Sequence, residues 1–248
     1  MLTGQLLPKA KANGMRTIVV YATRGDAGEA RDDLDHAGLG ERRTVEAKAA
    51  CAALGVDRVE FLDHADSGMV GTTSNSQPNA FCNADPMQVA DDIAERLADE
   101  DLLAVAGYDA NGTYGHPDHL QIHAVAHALA RRMQISWVLD ATYNREYLAG
   151  LADSDGHLDP GFASSHASLT HFVQGEEWFR AKMEALKCHN SQAPRPSSKR
   201  PKRTIDMWRT RFGTDWFITH SPTGVNDLGP LASILEDRDS WPGPLAEH

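Results

Sequence analysis

The chain has 248 residues, of which 24% are charged and 41% hydrophobic, and it carries a net charge of -11 at pH 7. A chain of this length and composition buries a substantial core, as one large domain or two small ones. The acidic balance argues against nucleic acid or an acidic membrane surface as a partner, and no apolar run is long enough to span a bilayer.

Cys51, Cys82 and Cys188 are scattered and form no CxxC. They read as free thiols in a reducing cytosol, which makes a cytoplasmic location the expectation. The first ten residues lack the pattern of a secretory signal. Leu2 to Asn13 carries helix formers and stops at Gly14, although Pro8 disfavours a helix interior. Thr17 to Ala22 is a β-branched strand that runs into a glycine-punctuated loop, Thr23 to Glu29. Gly40 to Leu54 has a helical pattern with Val45, Ala49, Ala52 and Ala53 on one face and Gly55 as C-cap. On that helix Arg43 and Glu46 are three apart and can pair.

Arg58 to Asp63 reads as a strand. It opens into a long loop, His64 to Asp85, with Asp66 at its start. A loop of that length in a compact domain points to a binding role or to disorder. Pro86 to Leu97 is a helix, with Asp85 as N-cap and Pro86 at its first position. Leu102 to Tyr108 is a short apolar run, expected as a buried strand.

After that strand come Tyr114-Gly115-His116-Pro117-Asp118-His119 and then a helix, Leu120 to Met133. The hexapeptide therefore lies at a carboxyl-end strand edge, where open α/β sheets bind ligands. Pro117 suits the first helical turn, and His116, preceding it, is pushed to an extended conformation. His116, Asp118 and His119 converge in a small volume. Imidazole is both a metal ligand and a general acid or base near neutral pH. The plain alternative is a capped helix start with polar surface residues. His119, His123 and His127 fall four apart on the helix, and only the first is expected to reach the site.

Ile135 to Tyr143 is a further strand. The strand–helix alternation implies a parallel sheet covered on both faces. Leu151 to Ser168 is a polar loop. Gly175 to Cys188 is a helix expected to turn Trp178, Met183 and Leu186 inward. Residues 193–204 form a basic, proline-bearing flexible loop, Arg209 to Ile218 returns to the body, and the tail after 239 is irregular.

From Thr17 to about Gln192 the chain resembles the LmbE-like (PIG-L) family of zinc-dependent N-acetylglucosaminyl deacetylases. The pieces stand in the family's order: a strand followed by Thr23-Arg24-Gly25-Asp26-Ala27-Gly28-Glu29; Arg43-Thr44-Val45-Glu46 leading to Ala53-Leu54-Gly55; Asp66-Ser67-Gly68-Met69; Asn111 to His119; and Lys182 to Gln192, ending in His189-Asn190-Ser191-Gln192. The resemblance implies a single Rossmann-like αβα domain over 1–248 with a mostly parallel sheet. It implies hydrolysis of the N-acetyl group of an N-acetylglucosaminyl conjugate, a small-molecule glycoside, with Zn2+ or another divalent metal as cofactor.

By the same likeness His119 is a zinc ligand, His116 steadies the oxyanion, Asp118 orients the neighbouring imidazole and Tyr114 lies over the site. Arg43 and Asp66 hold sugar hydroxyls. The family's opening strand ends in His-Pro-Asp-Asp-Glu, which supplies two zinc ligands and the general base, and that motif is absent from this sequence. The expectation is therefore a sheet without its first strand and a family activity that is impaired in the chain as it stands. Asp26, Asp66 and Asp109 are acidic residues near strand ends, but nothing in their spacing argues for them as substitute ligands. The competing expectation is a non-catalytic sugar-binding protein, or a gene remnant, on the same fold.

Overall fold

A computed structural model describes residues 2–28, 38–151, 161–192 and 205–245. Segment 193–204 and residues 152–160 of the stretch 151–168 lie outside the described residues. The first helix, α1 (Leu6–Ala12), is shorter than its sequence pattern. Pro8 falls in its first turn, where a missing N–H costs no helical hydrogen bond. Next come β1 (Ile18–Tyr21), α2 (Leu39–Ala53), β2 (Arg58–Phe61) and α3 (Pro86–Arg96). Asp85 caps α3 as expected, accepting from the Met87 N–H at 2.9 Å. β3 (Ala104–Tyr108) leads through a distorted single turn, α4 (Gly112–Gly115), into the long helix α5 (Pro117–Met133). The remaining elements are β4 (Trp137–Thr142), α6 (Arg145–Leu151), β5 (His171–Gln174), α7 (Glu176–Cys188), α8 (Ile205–Phe212), β6 (Thr214–His220) and β7 (Glu236–Asp237).

The strands form two sheets. β1 and β2 pair in parallel, and the larger sheet has the order β3-β4-β6-β5-β7. Within it β3 and β4 are parallel, while β6, β5 and β7 join antiparallel. Helices α3 and α5 cover one face with Val89, Ile93, Val125 and Leu129, which meet Val138 of β4. Leu6 and Ala10 of α1 cover the other face with Leu231 and Ile234, against Leu139 of β4 and Phe217 of β6. Successive β4 residues thus serve opposite layers, which gives the three-layer α/β architecture the sequence implied.

Four sequence expectations need correction. The larger sheet is not mostly parallel: among the described residues β3 with β4 is its one parallel pair, and β6, β5 and β7 join antiparallel. On α2, Val45, Ala49, Ala52 and Ala53 face solvent, and the buried side is Leu39, Glu46, Ala47, Ala50 and Cys51, packed on α7. Many small alanines make both faces of α2 look alike, so position alone decided little. On α7 the fully buried stripe is Phe179, Lys182 and Ala185, while Trp178, Met183 and Leu186 are half-buried. β3 is also not the fully buried strand its apolar run suggests: Ala106 is exposed, Ala104, Val105 and Tyr108 are half-buried, and only Gly107 is buried.

The reason for the exposure of β3 lies in the sheet. Among the described residues, β1 pairs only with β2, and β3 only with β4. Their other edges line one cavity of about 520 Å³, walled by Ile18, Val20, Val105, Ile122, Val125 and Leu129. Arg16 to Ile18 and Asp101 to Leu103, where the strands begin, share that cavity. Tyr21 to Thr23 and Gly107 to Tyr108, where they end, share a second one of about 440 Å³. The two strands therefore run in the same direction on either side of an apolar slot.

Candidate active site

The second cavity lies at the carboxyl ends of β1 and β3. Ala22, Thr23 and Gly25 line it from the β1 side, and His116, Asp118 and His119 from the β3 side, with Asp66 from the long loop and His189 after α7. The hexapeptide and the 23–28 loop thus share one edge, as the strand pattern implied.

The approach to α5 is strained. Gly112 (φ 58°) and Gly115 (φ 80°) take left-handed values, and so does Thr113 (φ 64°, ψ −53°), a β-branched residue that avoids this region. Asp109 holds the strain in place. Its buried carboxylate accepts from the Thr113 N–H at 2.7 Å, from Ser164 Oγ at 2.7 Å and from Thr142 Oγ1 at 2.5 Å. Asp109 is therefore fully engaged as the anchor of the loop. The turn presents Tyr114 outward, 47% exposed, with its ring edge-on to His119 at 5.0 Å between centroids. Tyr114 stands at the rim of the site.

The two histidines are fixed in opposite proton arrangements. His116 is the N-cap of α5, and its Nδ1 accepts from the Asp118 backbone N–H at 3.1 Å. In the neutral ring the hydrogen then sits on Nε2, so His116 offers a donor to the cavity. His119 Nδ1 lies 3.1 Å from the Gly112 carbonyl, which only accepts. Its hydrogen is therefore on Nδ1, and Nε2 keeps a lone pair. His119 also stacks on Tyr108 at 3.7 Å. Burial, helped by the neighbouring His116, lowers its pKa to about 4, so the ring is neutral at pH 7.

The sign of the pH effect follows. Unfolded, the imidazole titrates near its ordinary value of 6.5. Between pH 6.5 and about 4 the unfolded chain takes up a proton that the folded one does not, so stability falls as pH falls through that window and levels off below it. Urea midpoints at pH 7 and pH 5 should show this loss, and His119→Gln should reduce it.

Asp118 meets His116 through its backbone N–H and not through its carboxylate. Its carboxylate accepts from the Ser67 N–H at 3.2 Å, while Oδ1 is buried without a partner. Burial raises its pKa despite Ser67. Asp66 is buried and turned back on its own loop, accepting from the Gly68 N–H at 2.9 Å. Arg43 donates to the Gly25 carbonyl and packs under Gly25 and Gly28. The charge of Asp66 acts on Arg43, so these two belong to one polar wall. Glu46 accepts from the Ser191 N–H at 2.8 Å and from Ser191 Oγ at 2.6 Å, which ties the end of α7 to α2. Asp26, from the 23–28 loop, accepts from the Asp66 N–H at 3.5 Å.

A catalytic zinc takes three protein ligands. Among the described residues one group of three His, Cys, Asp or Glu side chains brings its ligand atoms together, and it is His123, His127 and Asp140. It lies one and two turns further along α5 than His119. His119 has a free lone pair, but these residues do not assemble two more ligands around it, so the described site does not fit a three-ligand zinc. The stripe of three histidines therefore divides: the first reaches the cavity, and the other two turn beneath α5 to Asp140 on β4. Burial works against the charge on Asp140, yet the imidazoles of His123 and His220 hold its carboxyl well below the usual range. Sequence spacing showed the stripe, but Asp140 and His220 carried no local signal of their part in it.

The comparisons agree with this architecture. The family pattern described as PIG-L, GlcNAc-PI de-N-acetylase, matches residues 1–130. A 1D-myo-inositol 2-acetamido-2-deoxy-alpha-D-glucopyranoside deacetylase of Actinosynnema mirum is 35% identical over 214 residues, covering 77% of this chain and 75% of its own. One from Saccharopolyspora erythraea is 33% identical over 85% of this chain and 77% of its own. Among solved structures, the N,N'-diacetylchitobiose deacetylase of Pyrococcus horikoshii superposes with a TM-score of 0.57 at 17% identity, over 89% of this chain and 81% of that one. The A40926 pseudoaglycone deacetylase Dbv21 gives 0.55 at 18% identity, over 90% and 93%. The solved structures establish the fold, and the relatives together with the family pattern over more than half the residues establish that the chain belongs to the PIG-L family of de-N-acetylases, which are amide hydrolases.

Proposed function

We propose that the chain removes the N-acetyl group from an N-acetylglucosaminyl conjugate with a small polyol aglycone, as the names of its relatives describe for them. The observation that carries this reading is the pair of imidazoles in opposite proton arrangements at one cavity wall, with Asp66 lining the same cavity and Arg43 packed beside it under Gly25. Water adds to the amide carbonyl, the C–N bond breaks, and acetate and a protonated amine leave. His116 Nε2–H is the donor for the oxygen that becomes negative as the carbonyl turns tetrahedral. Asp118, buried and shifted toward its protonated form, sits beside it with an unpartnered oxygen. Arg43 and Asp66 provide paired donor and acceptor groups for sugar hydroxyls, and Tyr114 closes over the ring from the rim. His119 Nε2 is the one nitrogen of this turn with a free lone pair, and by itself it does not make the three-ligand zinc site of the family likeness.

A second reading is favoured by the ligand count: a sugar-binding protein that keeps Arg43, Asp66 and Tyr114 without turnover. One experiment separates the two. The chain is incubated with 1D-myo-inositol 2-acetamido-2-deoxy-α-D-glucopyranoside, with and without added Zn2+, while free amine and acetate are quantified and binding is followed by calorimetry. Equal release of amine and acetate supports the deacetylase. Binding of unchanged affinity in chelator, with no amine, supports the second reading, and neither binding nor amine overturns both.

A further inference from the structure

The polar cluster beneath α5 lies outside the cavity just described. Three elements meet there. α5 contributes His123 and His127, the middle of β4 contributes Asp140, and the end of β6 contributes His220. His127 Nε2 lies 3.1 Å from Asp140 Oδ1 and 3.2 Å from Oδ2, His123 Nδ1 lies 3.4 Å from Oδ1, and His220 Nε2 lies 2.9 Å from Oδ2. The His123 and His127 rings are 4.5 Å apart, and those of His127 and His220 are 5.1 Å apart. One ligand atom from each of His123, His127 and Asp140 falls within 4.8 Å of the other two.

His123 Nδ1 has the Tyr108 carbonyl at 3.0 Å, which leaves Nε2 of its neutral ring as the nitrogen with a lone pair. The hydrogen bonds and charges that act on Asp140 come from imidazoles, with no arginine or lysine among the leading ones. Imidazoles with one carboxylate form the donor set of a borderline divalent cation such as Zn2+, Co2+ or Ni2+, whereas Ca2+ and Mg2+ call for oxygen-rich cages. Nitrogen and oxygen ligands at about 2.0–2.2 Å from a tetrahedral ion stand roughly 3.3–3.6 Å from each other. His123 Nδ1 already stands 3.4 Å from Asp140 Oδ1, while His127 and His220, at 3.1 and 2.9 Å from the carboxylate, would move apart from it by a few tenths of an ångström to take an ion. The His220 side chain is 42% exposed and that of Asp140 3%, so the cluster has a deep anchor and an open entry.

We infer that His123, His127, Asp140 and His220 form a binding site for a divalent transition-metal ion that pins α5 to strands β4 and β6. This site goes beyond the deacetylase reading, since no reacting group of that chemistry belongs to it. Its effect is mechanical: the ion fastens the shaft of the helix whose first turn carries His116, Asp118 and His119, and it stabilises the folded state by mass action.

The test uses the full chain, stripped of metal with a chelator and dialysed. It is titrated with Co2+ while visible absorption and melting temperature are followed. The expected result is a four-coordinate Co2+ band that saturates near one equivalent for this site, a rise in melting temperature, and bleaching of the band by Zn2+. His127→Gln and Asp140→Asn should each weaken Co2+ binding by more than the roughly 10- to 100-fold that loss of a supporting hydrogen bond costs. His119→Ala should leave the band in place. Far-UV circular dichroism confirms that the variants are folded. Absence of Co2+ uptake by the unaltered chain, or an unchanged band in folded His127→Gln, overturns the inference. Loss of the band in His119→Ala instead would place the ion at the cavity and also overturn it.

Discussion

Lys182→Met is expected to cost about 3–5 kcal/mol of folding stability, the scale for breaking a buried ion pair by removing one partner. The Lys182 ammonium lies 2.6 Å from Asp215 Oδ1, and the two side chains are 2% and 0% exposed. It also donates to the Phe212 carbonyl at 2.8 Å. The stem is packed as well as the head: a Cβ added at Gly4 would stand 2.6 Å from Lys182 Cγ. Asp215 in turn accepts from the Gln5 and Leu6 N–H groups at 2.7 and 3.2 Å, so it holds the start of α1. Methionine preserves the volume of the stem and leaves a buried carboxylate without its cation. A domain of this kind is stable by only about 5–15 kcal/mol in total, so the variant should lose a large share of it. Lys182→Met/Asp215→Asn should recover part of the loss, because the amide oxygen still accepts from α1 while the lone charge is gone. Urea unfolding of both variants measures this. A loss below about 1 kcal/mol in the single variant would mean that water reaches Asp215 and that the pair behaves as a surface contact.

His116→Ala should lower kcat/KM for amide hydrolysis by about 100- to 1000-fold, the usual effect of removing one donor from a developing oxyanion. The direction rests on the tautomer: Nδ1 is occupied as acceptor of the Asp118 N–H, which leaves Nε2–H for the substrate. The same substitution removes an N-cap, worth about 1 kcal/mol of helix stability. His116→Asn separates the two effects, since asparagine restores the cap but places its amide short of the cavity. Both variants should keep KM within a few-fold while kcat falls. A fall in stability with kcat intact would reduce His116 to a helix cap, and a matching rise in KM would make it a binding group.

Much of this arrangement was legible from residue order. Asp85-Pro86 announced the start of α3, and the run from Thr17 to Ala22 announced β1, because capping chemistry and β-branching act locally. The hexapeptide could be placed at a strand-to-helix edge for the same reason. What escaped depends on partners far along the chain. Lys182 reads as a solvated residue until Asp215, 33 positions later, is brought against it. Asp109 looked like a spare ligand because nothing nearby reveals that Thr113, Thr142 and Ser164 all use its carboxylate. The exposed side of α2 was misassigned because alanine-rich faces differ little in hydrophobicity. β3 read as buried because its side chains are apolar, and the state of its backbone edge is invisible in sequence.

That edge governs how the chain meets other extended polypeptide. An uninterrupted sheet has two rims, and both can be guarded by charge, proline or brevity. Here two further rims, along β1 and β3, face each other across apolar walls and point the same way. An extended segment laid on an ordinary rim gains one ladder of hydrogen bonds, whereas one laid here gains a ladder on each flank and buries both faces of its side chains. The walls suit a strand that is apolar on both sides, since the polar side of an alternating one would meet the packing of Val125 and Leu129 or of Leu6 and Leu139. Filling it would also change the mechanics of the cavity above. The 23–28 loop and the His116–His119 turn now ride on separate sheets, and a shared strand would make their spacing a property of one rigid body.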